Sequence, residues 1–253
     1  MTAGAARAAD PPPLQRAVDA AKPFAKQVLF DAKDIFPAPV LRWHKHEWTR
    51  FGEGVAIVLG AYAADNQIVK FVSRQQNPTL DHYLSGVTHL GGGYGLDLAA
   101  LLAVSGYATR DERMMDAGLD ALESSVFAAG VVTPVIKRVA GRARPIYNLG
   151  KHSFHPGNSG YQSFPSGHAT NAFAIYSAIA SRYDDNAYVP AIAYTIATSV
   201  AIARVHDRVH FASDVIAGGL IGHAIAKSIV ANHRKAHVAL IPTGNGFVAD
   251  IRF

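Results

Sequence analysis

One stretch organises the interpretation of this sequence: Phe164-Pro165-Ser166-Gly167-His168, followed by an Ala-rich run at residues 169–175. Proline disfavours helix in the residue before it and serine favours a helix N-terminus, so the pattern predicts a helix that starts near Ser166. The free N–H groups at such a helix end can bind an anion, and a hydroxyl and an imidazole lie beside them. The stretch therefore indicates an anion site, although a Ser-capped helix with a surface histidine is the simpler alternative.

The remaining sequence predicts a helical protein. Apolar or amphipathic helical patterns occur at residues 54–64, 80–87, 95–107, 111–139, 170–183, 188–205 and 213–233. We expect a bend near Pro134, where the ring removes a hydrogen bond, and close helix packing along Gly218, Gly222 and Ala226, which recur every four residues. These patterns predict an all-α fold, a packed helical bundle.

The two ends of the chain differ from this helical pattern. Residues 1–13 end in three prolines and predict a flexible lead-in, residues 14–235 a single helical domain, and residues 236–253 a small C-terminal β-hairpin. The first ten residues resemble the small-residue tail that follows an export signal, so we expect a protein of the periplasm or cell envelope.

Composition limits the function classes. The net charge of +5 suits an anionic substrate or a membrane surface, but the basic residues are scattered, which argues against nucleic-acid binding. The chain has no cysteine, which excludes disulfides and thiolate metal sites.

The length and charge of the apolar segments bear on membrane insertion. A spanning helix needs about 20 mostly apolar residues, and only residues 187–203 approach this length without a charge. Charged residues such as Asp120 and Glu123 interrupt the other apolar segments, so we expect a soluble or peripherally attached bundle. Trp43 and Trp48 are expected to anchor the N-terminal region to the core.

Two further segments carry groups suited to phosphate chemistry. Lys137 and Arg144 lie near a predicted helix end, where an ammonium and a guanidinium can neutralise a phosphate, although such a run is commonly a solvated basic face. Downstream, Ser213 is a candidate N-cap for the last helix, with Asp214 in its first turn and His210 just before it. A carboxylate there can hold one imidazole nitrogen and leave the other free as a nucleophile.

Together the three segments resemble the type 2 phosphatidic acid phosphatase superfamily, which includes lipid phosphate phosphatases, bacterial acid phosphatases and vanadium haloperoxidases. The family signature is Lys, six residues, Arg-Pro; then Pro-Ser-Gly-His; then Ser-Arg, five residues, His, three residues, Asp. The matching residues here are Lys137, Arg144-Pro145, the run from Pro165 to His168, Arg204, His210 and Asp214. Ala203 stands where the family usually has serine, which removes one supporting hydroxyl.

The resemblance implies a catalytic role for each matching position. It implies that His210 attacks phosphorus to form a phosphohistidine, that Asp214 orients it, and that His168 protonates the leaving oxygen. The implied phosphate-binding groups are Lys137, Arg144, Ser166, Gly167 and Arg204. No metal or cofactor is required for this chemistry. The implied function is a phosphatase acting on a lipid phosphate or an isoprenoid diphosphate.

Four alternatives remain open from the sequence. A broad-specificity acid phosphatase on soluble phosphomonoesters and a vanadium-dependent haloperoxidase both fit the same residues. A non-catalytic anion-binding scaffold fits less well, since simple anion binding needs neither an acid nor a nucleophile. His206 and His210 are spaced as a zinc pair, but a zinc site needs both on one continuous helix and a third ligand.

Overall fold

The computed structural model describes residues 22, 24–33, 43–75, 77–236, 239–243 and 246–250. Residues 24–33 are helical and precede α1. The helices that follow are α1 (Lys45–Arg74), α2 (Pro78–Thr88), α3 (Gly93–Thr109), α4 (Glu112–Ser125), α5 (Thr133–Ala140), α6 (Gly167–Arg182), α7 (Tyr188–His206) and α8 (Ala212–Ala236). Short 3-10 turns cover His89–Gly91 and Pro145–Tyr147. The predicted helical bundle is confirmed.

Helix α6 lies at the centre of the bundle, packed against α4, α7 and α8. Ala172, Ile175 and Tyr176 are almost fully buried on it. Helix α8 approaches α6 closely, because a side chain at Gly222 would come within 2.3 Å of the carbonyl oxygen of Thr170. The predicted close packing along this glycine stripe is confirmed, and it fixes the relative position of the two helix N-termini that carry the candidate site.

The helix predicted to bend near Pro134 is irregular, but the irregular segment precedes the proline. Residues Val126–Val132 form a π-helix between α4 and α5, and Pro134 lies in the first turn of α5. A proline in the first turn of a helix breaks no hydrogen bond, because the N–H groups of that turn have no intrahelical partner. Turns of π-helix often occur at functional sites. The irregular segment ends five residues before Lys137.

The C-terminal region contains two short strands, β1 (Ala239–Thr243) and β2 (Gly246–Asp250), which pair antiparallel with Ala239 opposite Asp250. They overlap the segments in which strands were predicted. The predicted lead-in at residues 1–13 lies outside the described residues, and the boundaries of the single helical domain stay a prediction.

In the part of the chain that the structure describes, four helical segments are long and apolar enough to cross a membrane, judged by length and composition. They are Lys45–Arg74, Glu112–Ala140, Tyr188–His206 and Ala212–Arg234, and α2 with α3, bent by 49°, makes a fifth if the pair is one span. In α1 only 6% of the most apolar stretch is buried inside the protein. Exposed Val55, Ile57 and Leu59 on that helix form an apolar surface suited to lipid.

This finding overturns the argument for a soluble bundle. Asp120 and Glu123 were expected to interrupt a span, but each is only 1% exposed and lies inside the bundle. A charge buried among protein partners does not meet lipid, so it does not prevent the helix from crossing a membrane. The sequence shows the charge but not the direction in which it points.

The two tryptophans also differ from expectation. Trp43, Trp48 and Phe51 cluster at the start of α1, with ring centroids 5.0 to 5.9 Å apart, and Trp48 is 51% exposed. The prediction that Trp48 anchors the core is therefore wrong. Aromatic residues at the end of an apolar helix are typical of a membrane–water interface.

Candidate active site

The three sequence segments meet at the N-termini of α6 and α8. The Ser166 N–H donates to the carbonyl oxygen of Asp214 at 2.9 Å, which joins the second segment to the third. The Ser163 N–H donates to the carbonyl oxygen of Arg142 at 2.8 Å, which joins the first to the second. Lys137 also donates to the carbonyl oxygen of Gln162. Backbone bonds therefore hold the loops from all three segments together.

His210 is a buried histidine in the turn between α7 and α8. Its side chain is 3% exposed, and its Nδ1 lies 3.7 Å from Oδ2 of Asp214, just beyond hydrogen-bond distance. Among the described residues Nδ1 has no hydrogen-bond partner. Burial lowers the pKa of His210 to about 4, against the opposing effect of Asp214. The ring is thus neutral at pH 7, with its Nδ1 side towards the carboxylate and Nε2 on the other side.

His168 lies in the first turn of α6, among the positive groups of the site. Burial, with a smaller contribution from the positive charges of Arg204, Lys137 and Arg144, lowers its pKa to about 4. These are the cations that the sequence predicts to bind phosphate. An anion bound among them would raise the pKa of His168.

The three predicted phosphate-binding cations come from different elements. Lys137 is on α5, Arg144 immediately precedes the 3-10 turn at Pro145, and Arg204 is in the last turn of α7. One guanidinium nitrogen of Arg204 donates to Thr88 Oγ1 at 2.8 Å, while its buried Nε has no partner among the described residues. An arginine donor left buried without a partner is expected where an anionic ligand binds.

Ser166 and Gly167 begin α6 as predicted. The Ser166 hydroxyl oxygen accepts a hydrogen bond from the Ala169 N–H at 3.4 Å, which identifies Ser166 as the N-cap. Gly167 faces α5, since a Cβ on it would lie 3.8 Å from Cε of Lys137. The N-terminus of α6 therefore lies beside Lys137.

The predicted N-cap role of Ser213 is wrong. Helix α8 begins at Ala212, and Asp214 Oδ2 accepts the Phe211 N–H at 2.8 Å at this helix start. Ser213 is instead tied to α1, because its N–H donates to Asp65 Oδ1 at 3.0 Å and its hydroxyl to Asp65 Oδ2 at 2.6 Å. A partner so far away in the chain cannot be found from local capping patterns.

Sequence reasoning missed Arg142, which organises the carboxylate behind His210. Arg142 is 1% exposed and binds Asp214 Oδ1 at 2.5 Å and Asp65 Oδ2 at 2.8 Å. Its guanidinium also lies 4.1 Å from the ring centroid of Phe211. Ser163 donates to Asp214 Oδ2 at 2.5 Å, which completes the hold on that carboxylate. The one available signal was an arginine two residues before Arg144 in the basic run.

Gly91 and Gly92, which immediately precede α3, lie against the site. A Cβ on Gly92 would come within 3.5 Å of His168 Nε2, and one on Gly91 within 2.8 Å of the His168 carbonyl oxygen. The carbonyl oxygen of Gly91 accepts a hydrogen bond from Asn171 at 3.1 Å. Glycine at these positions therefore allows the turn to pack directly on the start of α6.

The zinc-pair alternative fails on geometry. His206 ends α7, and Arg208, with φ of 56°, turns the chain before His210. The two histidines do not share a helix, and His206 Nε2 lies 2.6 Å from Asp81 Oδ1.

Elsewhere, His152 contacts the Tyr62 hydroxyl at 2.6 Å and His155 stacks on Tyr161.

Comparison with known proteins identifies the family. Residues 121–237 match the model of the PAP2 superfamily. The chain is 32% identical over 171 residues to phosphatidylglycerophosphatase B of Bacillus subtilis, a match that covers 63% of this chain and 78% of that protein. It is also 38% identical over 102 residues to a lipid A 1-phosphatase of Rhizobium johnstonii, a match that covers 39% of this chain and spans less than half, 41%, of that relative's length.

A solved structure supports the same assignment. The crystal structure of a transmembrane PAP2-type phosphatidylglycerolphosphate phosphatase from Bacillus subtilis aligns with a TM-score of 0.58 at 27% identity. The alignment covers 72% of this chain and 95% of that one. The protein belongs to the PAP2 superfamily, as the three motifs indicated. With its candidate spans, it is a membrane protein of that family.

Proposed function

We propose that this protein is a membrane phosphatase that hydrolyses a lipid phosphate or isoprenoid diphosphate through a phosphohistidine. The observation that carries the proposal is the buried, neutral His210, whose Nδ1 side faces Asp214 at 3.7 Å. A neutral imidazole held in this way has a free lone pair on Nε2 and can act as a nucleophile.

In the first step His210 Nε2 attacks phosphorus. The N–P bond forms as the bond from phosphorus to the lipid oxygen breaks, and the leaving oxygen takes a proton from His168. Asp214 stabilises the positive charge that develops on the His210 ring. The 3.7 Å separation is expected to shorten once Nδ1–H becomes a stronger donor.

In the second step water attacks the phosphohistidine. His168, now neutral, takes a proton from that water, the N–P bond breaks, and inorganic phosphate leaves. His168 must be protonated before the first step, although its pKa in the free site is about 4. The negative charge of the bound substrate raises that pKa, so His168 takes up its proton when the substrate binds.

The phosphoryl oxygens are bound by Lys137, Arg144 and Arg204, together with the Gly167 N–H. The Ser166 hydroxyl accepts the capping bond from Ala169 and keeps its own proton free for a phosphoryl oxygen. Fixed positive charge of this kind supplies most of the stabilisation that phosphoryl transfer needs, so these steps require no metal ion.

A lipid substrate is favoured by an apolar cavity beside the site. The cavity has a volume of about 700 Å³ and is formed between α1, α2, α6, α7 and α8. Its lining includes Val205 and Ala212, which flank the turn that carries His210, and extends to Phe71 and Leu220. An acyl or prenyl chain can bury its apolar surface against such a lining, whereas a soluble phosphomonoester has no comparable apolar chain to bury there.

The relatives favour the same substrate class, since the two proteins named above are, by name, phosphatases of lipid A and of phosphatidylglycerophosphate. We place this protein in the cell envelope on that basis. The broad acid phosphatase and the haloperoxidase remain weaker candidates because neither accounts for the apolar cavity.

Substrate preference tests the proposal directly. Purified protein in detergent micelles is assayed for phosphate release from phosphatidic acid, phosphatidylglycerophosphate, lipid A, a prenyl diphosphate and p-nitrophenyl phosphate. We expect kcat/KM for at least one lipid to exceed that for the soluble ester, and the preference to fall in Ala201→Trp, which fills the cavity. Preference for the soluble ester, or halide oxidation with vanadate in place of phosphate release, would reject it.

A further inference from the structure

A second cluster of titratable side chains lies far from the candidate active site. It is formed where the end of α8, the middle of α4, the end of α6 and the helical residues 24–33 meet. Its members are Asp31, Asp116, Asp120, Glu123, Arg182 and His233. Because α8 begins at the active site and His233 lies 21 residues further along it, the two places are separated by about 30 Å.

Three of these residues converge with the geometry of metal ligands. One ligand atom each from Asp31, Glu123 and His233 lies within 4.8 Å of the other two. His233 Nε2 is 2.9 Å from Asp31 Oδ2 and 3.7 Å from Glu123 Oε2. Asp31 and Glu123 are each 1% exposed, so these carboxylates are not a solvated acidic surface.

Asp120 fixes the orientation of the His233 ring through its Nδ1. Its Nδ1 lies 2.6 Å from Asp120 Oδ1, and the other oxygen of Asp120 accepts from Arg182 Nε at 2.6 Å. A carboxylate that holds one imidazole nitrogen in this way sets the tautomer and turns the other nitrogen's lone pair towards a metal. Here that other nitrogen, Nε2, faces the two carboxylates.

Glu123 provides a second, independent observation that points to a bound cation. Its Oε1 is fully buried and has no hydrogen-bond partner among the described residues. Four carboxylates share this region with one arginine and one histidine, so the buried groups have a surplus of negative charge. A buried carboxylate oxygen without a donor is costly unless a cation or a proton binds it.

We propose that Asp31, Glu123 and His233 form a binding site for a divalent transition-metal ion, with Zn²⁺ as the best match. One imidazole nitrogen and two carboxylate oxygens are a ligand set for Zn²⁺, whereas Mg²⁺ prefers oxygen ligands and water. The site is structural: it links residues 24–33, through Asp31, to α4 and α8. It takes no part in the phosphatase chemistry proposed above and does not depend on it.

Gln27 is the group that competes with the ion. Its Nε2 donates to Asp31 Oδ2 at 2.9 Å and lies 2.9 Å from His233 Nε2, so its amide contacts two of the atoms that the ion would use. On metal binding this amide turns away or presents its oxygen. Gln27→Ala is therefore expected to bind the ion as wild type does. It is the control for a substitution in this cluster that removes no proposed metal ligand.

Zinc stoichiometry tests the proposal on the full chain. Protein purified in detergent micelles is stripped with a chelator, dialysed against Zn²⁺ and analysed for metal content, while Tm is measured with and without Zn²⁺. We expect wild type, Gln27→Ala and the active-site control His210→Gln each to bind one more equivalent of Zn²⁺ than Glu123→Gln. Zn²⁺ should raise Tm in the first three and leave Glu123→Gln unchanged.

Two further variants keep the test decisive. Asp31→Asn removes a ligand from residues 24–33 and replaces Glu123→Gln if that variant fails to fold. Asp120→Asn removes the support of His233 and should weaken Zn²⁺ binding about 10- to 100-fold. Equal Zn²⁺ content in wild type and both ligand variants would overturn the proposal, as would a wild type that binds no Zn²⁺. Either result would identify the cluster as carboxylates that share protons.

Discussion

Replacement of Arg142 by alanine should destabilise the protein strongly and also inactivate it. Arg142 is 1% exposed and binds two fully buried carboxylates, Asp65 at 2.8 Å and Asp214 at 2.5 Å. Breaking a buried ion pair by removing one partner costs about 3–5 kcal/mol, because an uncompensated charge stays behind. Since this arginine serves two carboxylates, we expect a loss at the upper end of that range.

The matched control lies two residues further along the chain. Arg144 is only partly buried and borders the phosphate site, so Arg144→Ala should change the free energy of unfolding by no more than about 0.5 kcal/mol while it lowers kcat/KM. Arg142→Lys keeps the charge, but one ammonium cannot reproduce a planar fork that bridges two carboxylates, so it should rescue stability only in part.

The assay is unfolding in mixed detergent micelles, with phosphate release measured on the same samples. An Arg142→Ala protein as stable and as active as wild type would refute this account of the buried network. So would an Arg144→Ala protein that loses as much stability as Arg142→Ala.

Three other perturbations test separate parts of the structure. His168→Gln should reduce turnover of unactivated lipid esters far more than that of p-nitrophenyl phosphate, whose leaving group needs no proton; equal losses would contradict the acid role. Because His168 has a pKa of about 4 when the site is free and phosphate raises it, phosphate binding at pH 6 should take up a proton, detectable as a buffer-dependent binding enthalpy that His168→Gln abolishes. Gly222→Ala should destabilise by about 1–3 kcal/mol because its Cβ would lie 2.3 Å from the Thr170 carbonyl oxygen, whereas Gly60→Ala, with nothing within 4 Å, should be neutral; similar stabilities would show that α6 and α8 do not pack as described.

Much of the fold and of the site could be predicted because the signals are local. Helical periodicity located the helices of the bundle, and the spacing of small residues at Gly218 and Gly222 indicated the packing of α8 on α6. The three motifs each carry several functional residues within a few positions, so their convergence could be expected from a resemblance to one family.

The remaining features depend on contacts between distant parts of the chain. Asp65 lies 77 positions before Arg142, and Asp31 lies 202 positions before His233. Neither pair has a sequence pattern. Ser213 likewise bonds Asp65, 148 positions earlier, so a local capping pattern does not show its partner. Membrane insertion cannot be predicted for a related reason, since hydropathy counts Asp120 and Glu123 as charges but does not show that they face the bundle interior.

Trapping of the covalent intermediate tests the central claim most directly. Protein mixed with a ³²P-labelled lipid phosphate is quenched within milliseconds, digested, and its labelled peptide sequenced. The account predicts an acid-labile, alkali-stable phosphate on His210, absent from His210→Ala and more abundant in His168→Gln with an activated ester. Turnover without any protein-bound phosphate, or label on a residue outside the three motifs, would contradict it.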